Sequence, residues 1–306
     1  MTISVVIPTY NGEKYIADSI ESVLNQTRPA DEIIISDDNS SDATLDICRR
    51  YLPKIKIFKN PSGPSGFVNG WNRAIGHATG EYVSVLHQDE LLAPTFLKEI
   101  QKAMEANPDV GHFFALCNVI DGTGKVIRVA PNLSGKVARE KVHRYSGREY
   151  VEAYLFTPGN LHRCPGVVTA RYLLAKCAYR EDAGHIADDD FFYRIGNFTD
   201  VVGILLPLAG YREHQGSETG HLSELNLCLR LLDDYYFQLE NISLNPLIGV
   251  KEIKEFKARE LRFCHRVMIY GILERQWRKA FHGLYRWLSM KKGHGNLRYE
   301  IARWFR

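Results

Sequence analysis

Acidic residues gather at three points where their neighbours leave them chemistry to do. Asp37 and Asp38 follow Glu32-Ile33-Ile34-Ile35-Ser36, and Asp89 and Glu90 follow Tyr82-Val83-Ser84-Val85-Leu86-His87-Gln88. Both apolar runs are short and rich in β-formers, so both read as buried strands that end in carboxylates. A third run, Ile3 to Ile7, ends in Pro8, Thr9, Tyr10 and Asn11. In an open α/β sheet, ligands bind beyond the carboxyl ends of the strands. A carboxylate pair there is where a hard divalent cation would meet a phosphate. Taken singly, Asp37 to Asp42 is also turn material, and Asp89 and Glu90 would also cap a helix begun over Leu91 to Pro94. That all three polar clusters fall on one sheet edge favours a site. The third acidic run, Asp188-Asp189-Asp190, opens the aromatic stretch Phe191-Phe192-Tyr193. Its plainest effect is to favour a helix dipole.

The elements that must position these residues follow in order. The strand Ile3 to Ile7 leads to a helix over Lys14 to Gln26, with Ile16, Ile20, Val23 and Leu24 on one face. After the second strand come a helix carrying Leu45, Ile47 and Cys48, a strand over Lys54 to Phe58, and a helix over Asn69 to Ala78. Strand and helix thus alternate up to Leu86, which predicts an α/β fold: a Rossmann-like, mainly parallel sheet flanked by helices. Further on, Val110 to Val119 reads as a strand, Asp121 to Gly124 as a tight turn, and Tyr172 to Cys177 as a helix. The 306 residues, 45% apolar and 25% charged with net charge +3, fit a soluble globular chain with a full core. No Gly-x-Gly-x-x-Gly follows the first strand and no phosphate-loop motif occurs, so dinucleotide-binding and phosphate-loop NTPase readings fail. Six scattered cysteines with no Cys-x-x-Cys pair argue against a zinc site and for a reducing compartment. The chain enters a strand at once, without a signal-peptide pattern, so a cytoplasmic location is expected.

Four blocks then agree in order and spacing with one family. Val5-Val6-Ile7-Pro8-Thr9-Tyr10-Asn11, Glu32 to Asp42, Asn72-Arg73-Ala74-Ile75, and Ala78-Thr79-Gly80-Glu81-Tyr82 with its carboxylate turn resemble the family-2 inverting nucleotide-sugar glycosyltransferases over residues 3–97. The resemblance implies a GT-A type fold and transfer of a sugar from a UDP- or dTDP-sugar to an acceptor hydroxyl. It implies that Pro8, Thr9 and Tyr10 line the nucleotide pocket, with Asn72 on the nucleotide side. It places Asp38, with Asp37 beside it, against the imide N–H of a uracil or thymine ring. Asp89 matches the family's metal-binding carboxylate for Mg2+ or Mn2+, with Glu90 next to it. Gln88 stands where relatives usually carry an Asp that contacts the sugar-nucleotide, which leaves open both the strength of metal binding and the sugar held. Aligning Phe191, Phe192 and Arg194 on the family's aromatic helix puts the catalytic base at Asp188, with Asp189 one residue away as the runner-up. Leu206 to His214 resembles the segment that closes the family's domain, which would let Arg212 or His214 reach the pyrophosphate or the metal. An inverting displacement needs a base on the acceptor side and charge stabilisation on the leaving side, so Asp89 and Asp188 are expected to flank one sugar.

A catalytic domain over residues 1–218 and a helical region over 219–306 are expected. Leu222, Leu225, Leu229 and Leu232 recur at helical spacing, and a long helix is predicted over Lys251 to Ala280. From Arg275 to Arg306 there are nine Lys or Arg against one acid, Glu300, a balance of +8, with Trp277, Phe281, Tyr285, Trp287, Trp304 and Phe305 interleaved. A basic aromatic helix reads as peripheral contact with the inner face of a membrane, suited to a lipid-linked or other saccharide acceptor; the alternative is a solvated bundle with those aromatics on its core. Nothing points to nucleic acid. The family's processive Gln-x-x-Arg-Trp motif is missing, since Arg275-Gln276-Trp277-Arg278 has the letters in another order, so one sugar is moved at a time. Gln88 keeps open the alternative of a degenerate member that binds nucleotide or a membrane partner without catalysis.

Overall fold

The structure, a computed structural model, describes residues 1–129, 141–156, 161–214, 226, 239, 242–243 and 245–291. Its contacts divide the chain into two compact units, Met1–His214 and Gln215–Arg306.

In the first unit, strand β1 (Ile3–Thr9) is buried along its whole length. It pairs in parallel with β2 (Glu32–Asp37) on one side and β4 (Tyr82–Val85) on the other. β3 (Lys56–Lys59) extends the parallel half beyond β2. A strand buried on both faces is mostly apolar, which is why Ile3-Ser4-Val5-Val6-Ile7 and Glu32-Ile33-Ile34-Ile35 read as near-continuous runs; buried Ser4 donates its hydroxyl to Glu32 at 2.6 Å. Helices α1 (Ile16–Leu24), α2 (Thr44–Arg49) and α3 (Phe67–Gly76) make the crossovers. Each fully buried Ile or Val here contributes about 1.5–3 kcal/mol.

The sheet continues through strands that are not all parallel. β9 (Val167–Ala170) runs antiparallel between β4 and β6 (His112–Ile120), and β10 (Val201–Arg212) lies parallel to β6. The order is β3-β2-β1-β4-β9-β6-β10-β5, where β5 is the two-residue strand Leu91–Leu92; off this path β7 (Val126–Arg128) pairs with β6 and β8 (Val142–Tyr145) with β10. The mixed sheet flanked by helices is the expected α/β architecture. The helix foreseen from Leu91 does not form: Leu91 and Leu92 pair antiparallel with Gly210 and Ala209, and the helix begins only at Phe96. Asp89 and Glu90 therefore cap no helix; they occupy a tight turn between two strands.

Two histidines lie in an aromatic layer beneath β6. His112 shares a hydrogen bond with Thr169 Oγ1 at 2.8 Å, and His162 one with the Tyr150 hydroxyl at 2.7 Å. Phe114, Tyr154 and Phe192 surround them. Burial drives the His112 pKa down to about 3 and that of His162 well below the ordinary histidine value. The unfolded chain takes up those protons near pH 6.5 and the folded chain does not, so this stability is fully present above pH 6.5 and drains as pH falls toward 3. Each imidazole should add a slope approaching about 1.4 kcal/mol per pH unit to urea-unfolding free energies below pH 6. His162→Gln should flatten that dependence by one proton's worth; an unchanged slope would show that the imidazole is protonated in the fold.

In the second unit, two helices, Val250–Leu273 and Trp277–Lys291, form a hairpin. The single helix expected over Lys251 to Ala280 is broken at residues 274–276, where Arg275 takes a left-handed φ of 55°. The leucine stripe of residues 222–232, Trp304 and Phe305 lie outside the described residues. Among the described residues no helix is long and apolar enough to cross a membrane.

Candidate active site

The register of the parallel strands sets the polar clusters on one edge. Thr9 is paired with Asp37, and Val6 with Val85, so the segments after β1, β2 and β4 all emerge on the same side. β10 runs to the same edge and delivers Arg212 and His214 to the turn after β4.

That turn is held from several sides. Ser19 Oγ, on α1, lies 2.8 Å from the carbonyl oxygens of both Gln88 and Glu90. The buried guanidinium of Arg212 donates from Nε to the Asp89 carbonyl at 2.7 Å. Its other nitrogens donate to the carbonyls of Asp121 and Gly122 and to the Asp18 carboxylate, and it stacks over the Tyr15 ring at 4.5 Å. Arg212, expected with His214 to be able to reach the pyrophosphate or the metal, has its hydrogen bonds on the Asp89, Asp121 and Gly122 carbonyls and on Asp18. His214 Nε2 lies 2.9 Å from Asp89 Oδ2, and its ring packs on Tyr15.

Glu90 does not share the position of Asp89. It is buried, and its Oε2 accepts from the His87 backbone N–H and lies 3.3 Å from His87 Nδ1. Burial raises its pKa against the pull of His87. Burial also opposes the charged form of His87, but the Cys164 thiol and Glu90 outweigh it and hold the imidazolium well above the ordinary histidine range. Among the described residues no three metal-ligating side chains gather. Asp89 and His214 form a pair that fits an oxygen-seeking cation held mostly by phosphates, with one carboxylate and one imidazole from the protein.

Gln88 is tied to the end of β1. Its Oε1 accepts from Thr9 Oγ1 at 2.6 Å and from the Tyr10 N–H at 2.9 Å, and its Nε2 donates to the Tyr10 carbonyl. A Cβ on Gly12 would lie 2.3 Å from that Oε1, so the amide fits only because residue 12 is glycine. An aspartate at position 88 would be one methylene short of this reach and would bring no donor.

The two acids after Ile35 differ sharply. Asp38 accepts from the Ser65 N–H and hydroxyl, the Asn60 amide and Arg73. Burial pushes its pKa up, but these donors prevail and hold it below the usual range. Asp37 is fully buried; its Oδ2 accepts from the N–H groups of Asn39 and Ser40, and its Oδ1 has no partner. The carboxylate oxygen without a partner thus belongs to buried Asp37, while Asp38, expected against the base with Asp37 beside it, is engaged by the 60–65 loop and Arg73. Asn72 also turns inward, exchanging hydrogen bonds with the Tyr179 backbone N–H and carbonyl. Pro8 is buried within β1, and Tyr10 is exposed.

The run Asp188-Asp189-Asp190 opens the helix Ala187–Ile195. Asp189 accepts from the Tyr154 hydroxyl, and buried Asp190 is paired with Arg194 at 2.6 Å. Asp188 accepts the N–H of Asp189. Burial raises its pKa above the ordinary aspartate value, against the pull of His87 and Arg163. Phe191, three residues after Asp188, stacks on Tyr179 with centroids 4.7 Å apart, which leads toward His87, two residues before Asp89. Trp71 on α3 bridges the same ground, stacked on His87 with centroids 4.8 Å apart and edge-on to Tyr179 at 5.3 Å. Ser19, Tyr15, Asp18 and Trp71 carried no local signal in the sequence; Arg73 lay inside a recognised block without a role.

Residues 4–166 match glycosyl transferase family 2. An uncharacterised glycosyltransferase of Methanocaldococcus jannaschii is 30% identical over 196 residues, 63% of each chain. The GalNAc(5)-diNAcBac-PP-undecaprenol beta-1,3-glucosyltransferase of Campylobacter jejuni is 33% identical over 155 residues, 49% of this chain and 48% of that one. The matches therefore span less than two thirds of these relatives' lengths. Among solved structures, Staphylococcus aureus TarS 1–349 in complex with UDP-GlcNAc superposes with a TM-score of 0.65 at 19% identity, covering 95% of this chain and 81% of that one. The mannosyltransferase of Pyrobaculum calidifontis in complex with GDP-Man and Mn2+ gives 0.54 at 17% identity, over 94% and 85%. At these identities the likeness is one of fold.

Proposed function

The chain belongs to glycosyl transferase family 2, and from that premise we propose that its first unit moves a single sugar from a UDP- or dTDP-sugar to an acceptor hydroxyl with inversion. The observation that supports this reading is the aromatic chain Phe191–Tyr179–Trp71–His87, which links the helix opened by Asp188 to the turn that presents Asp89, 99 residues earlier in the chain.

In this reading the acceptor oxygen attacks the anomeric carbon, the bond from that carbon to the phosphate oxygen breaks, and Asp188 takes the hydroxyl proton. The Asp37–Asp38 pair is the acceptor side for the imide N–H of the base, a charge-assisted bond that disfavours bases lacking that donor. Asp38 keeps the 60–65 loop and Arg73 in place around it. Asp89 and His214 would hold Mg2+ or Mn2+, which when bound offsets the charge developing on the leaving diphosphate. A UDP-GlcNAc complex and a Mn2+ complex among the fold neighbours support the donor and metal classes. The undecaprenol-linked substrate in the Campylobacter relative's name supports a lipid-linked saccharide acceptor.

The test is donor hydrolysis. The full chain, given UDP- and dTDP-sugars with Mn2+, should release nucleoside diphosphate above the blank, and Asp89→Asn should lower that release at least ~100-fold. If UDP raises the melting temperature while no donor turns over with any acceptor, the chain is a nucleotide-binding member without catalysis.

A further inference from the structure

The hairpin of the second unit carries an apolar surface that its own packing does not use. Its inner face is sealed by small residues: a Cβ on Gly271 would lie 2.7 Å from the Ala280 backbone nitrogen, and one on Gly283 would lie 2.9 Å from Val267 Cγ1. Cys264 and Val267 complete that face and are fully buried. On the opposite side, Ile269, Ile272 and Leu273 recur at i, i+3 and i+4 and are 55%, 49% and 71% exposed. Directly after the bend, Trp277 and Phe281, at i and i+4, are 57% and 66% exposed. Five large apolar side chains within two turns of one bend exceed the scattered exposure normal for a soluble surface. Arg266, Arg275 and Arg278, all exposed, stand among them, with Glu274 the one acid from residue 265 to 282.

We propose that this bend docks on the headgroup–acyl boundary of an anionic phospholipid bilayer. The proposal rests on the transfer reading only for its purpose, bringing the enzyme to a lipid-linked acceptor. Charge selects the occupant. A two-fold pairing of the patch with a second copy would set Arg275 and Arg278 against their own counterparts, whereas anionic headgroups neutralise them. Trp277 suits the polar–apolar boundary, where an indole keeps its ring in the acyl region and its N–H among headgroups. An amphipathic element of this kind lies in the interface without spanning it.

The experiment is co-sedimentation of the full chain with vesicles of phosphatidylcholine alone and of equal parts phosphatidylcholine and phosphatidylglycerol. The protein should partition onto the anionic vesicles at least ~10-fold more strongly, and less so as salt rises. Trp277→Ser with Phe281→Ser, and separately Arg275→Glu with Arg278→Glu, should each reduce partitioning at least ~10-fold, with helical circular dichroism retained. Release of UDP from a soluble donor should be the same in all variants, so failure of docking and failure of transfer are read separately. Absence of vesicle binding, or variants that bind as well as the parent, would overturn the proposal. So would a dimer in light scattering that the Trp277/Phe281 variant converts to monomer while vesicles stay unbound; the patch would then belong to a second copy.

Discussion

Asp188→Asn should reduce sugar transfer by about 100- to 10,000-fold, the range a positioned general base supplies, and leave UDP affinity within a few-fold of the parent. Asparagine keeps the shape of the side chain and its acceptance of the Asp189 N–H, so the start of the helix Ala187–Ile195 is undisturbed. Only the capacity to take a proton is lost. The raised pKa of the carboxyl adds a second readout, because a base must be ionised to act. In the parent, kcat/KM should fall as pH drops through a value above the ordinary aspartate range, and the residual activity of Asp188→Asn should not show that limb. Asp189 and Asp190 provide the contrast. Asp190→Asn removes one side of the buried pair with Arg194, so its loss should appear as lowered stability, about 3–5 kcal/mol in urea unfolding. A variant at Asp188 that loses UDP binding in parallel with transfer would move the residue to the donor side and end its assignment as base.

How far the sequence carried depended on the range of the forces involved. Ile3 to Ile7 and Glu32 to Ser36 were legible as strands because burial on both faces demands a near-continuous apolar run. The edge on which Thr9, Asp37 and Asp89 collect followed from alternation of strand and helix. The choice between Asp37 and Asp38 did not, because successive residues at a strand end point to opposite sides and only the 60–65 loop shows which carboxylate is already engaged. Leu91 and Leu92 looked like the start of a helix, since their partners on β10 lie more than a hundred residues later. The break at Arg275 was hidden for another reason. Glu274, Arg275 and Gln276 are good helix formers, and the bend is favoured by the close approach of Gly271 to Ala280, a contact between two helices.

Arg212 is a residue whose loss should cost the fold as heavily as that of Asp190. Arg212→Leu should lower unfolding free energy by about 3–5 kcal/mol, because it strands the Asp89, Asp121 and Gly122 carbonyls that one guanidinium now satisfies. For a unit of this size that corresponds to a fall in melting temperature of about 10 °C. Arg212→Lys should recover little of it, because an ammonium cannot reproduce the planar fork that reaches four acceptors. Asp18→Asn should cost no more than about 1 kcal/mol, since Asp18 is largely exposed and meets only one arm of the fork. If Arg212 acts by holding the Asp89 backbone, donor turnover should fall together with thermal stability. A variant that kept its melting temperature but needed far more UDP-sugar to reach half-maximal rate would instead place the guanidinium on the pyrophosphate. The burial of Arg212 argues against that outcome: a side chain 1% exposed cannot reach a ligand without leaving the carbonyls that hold it.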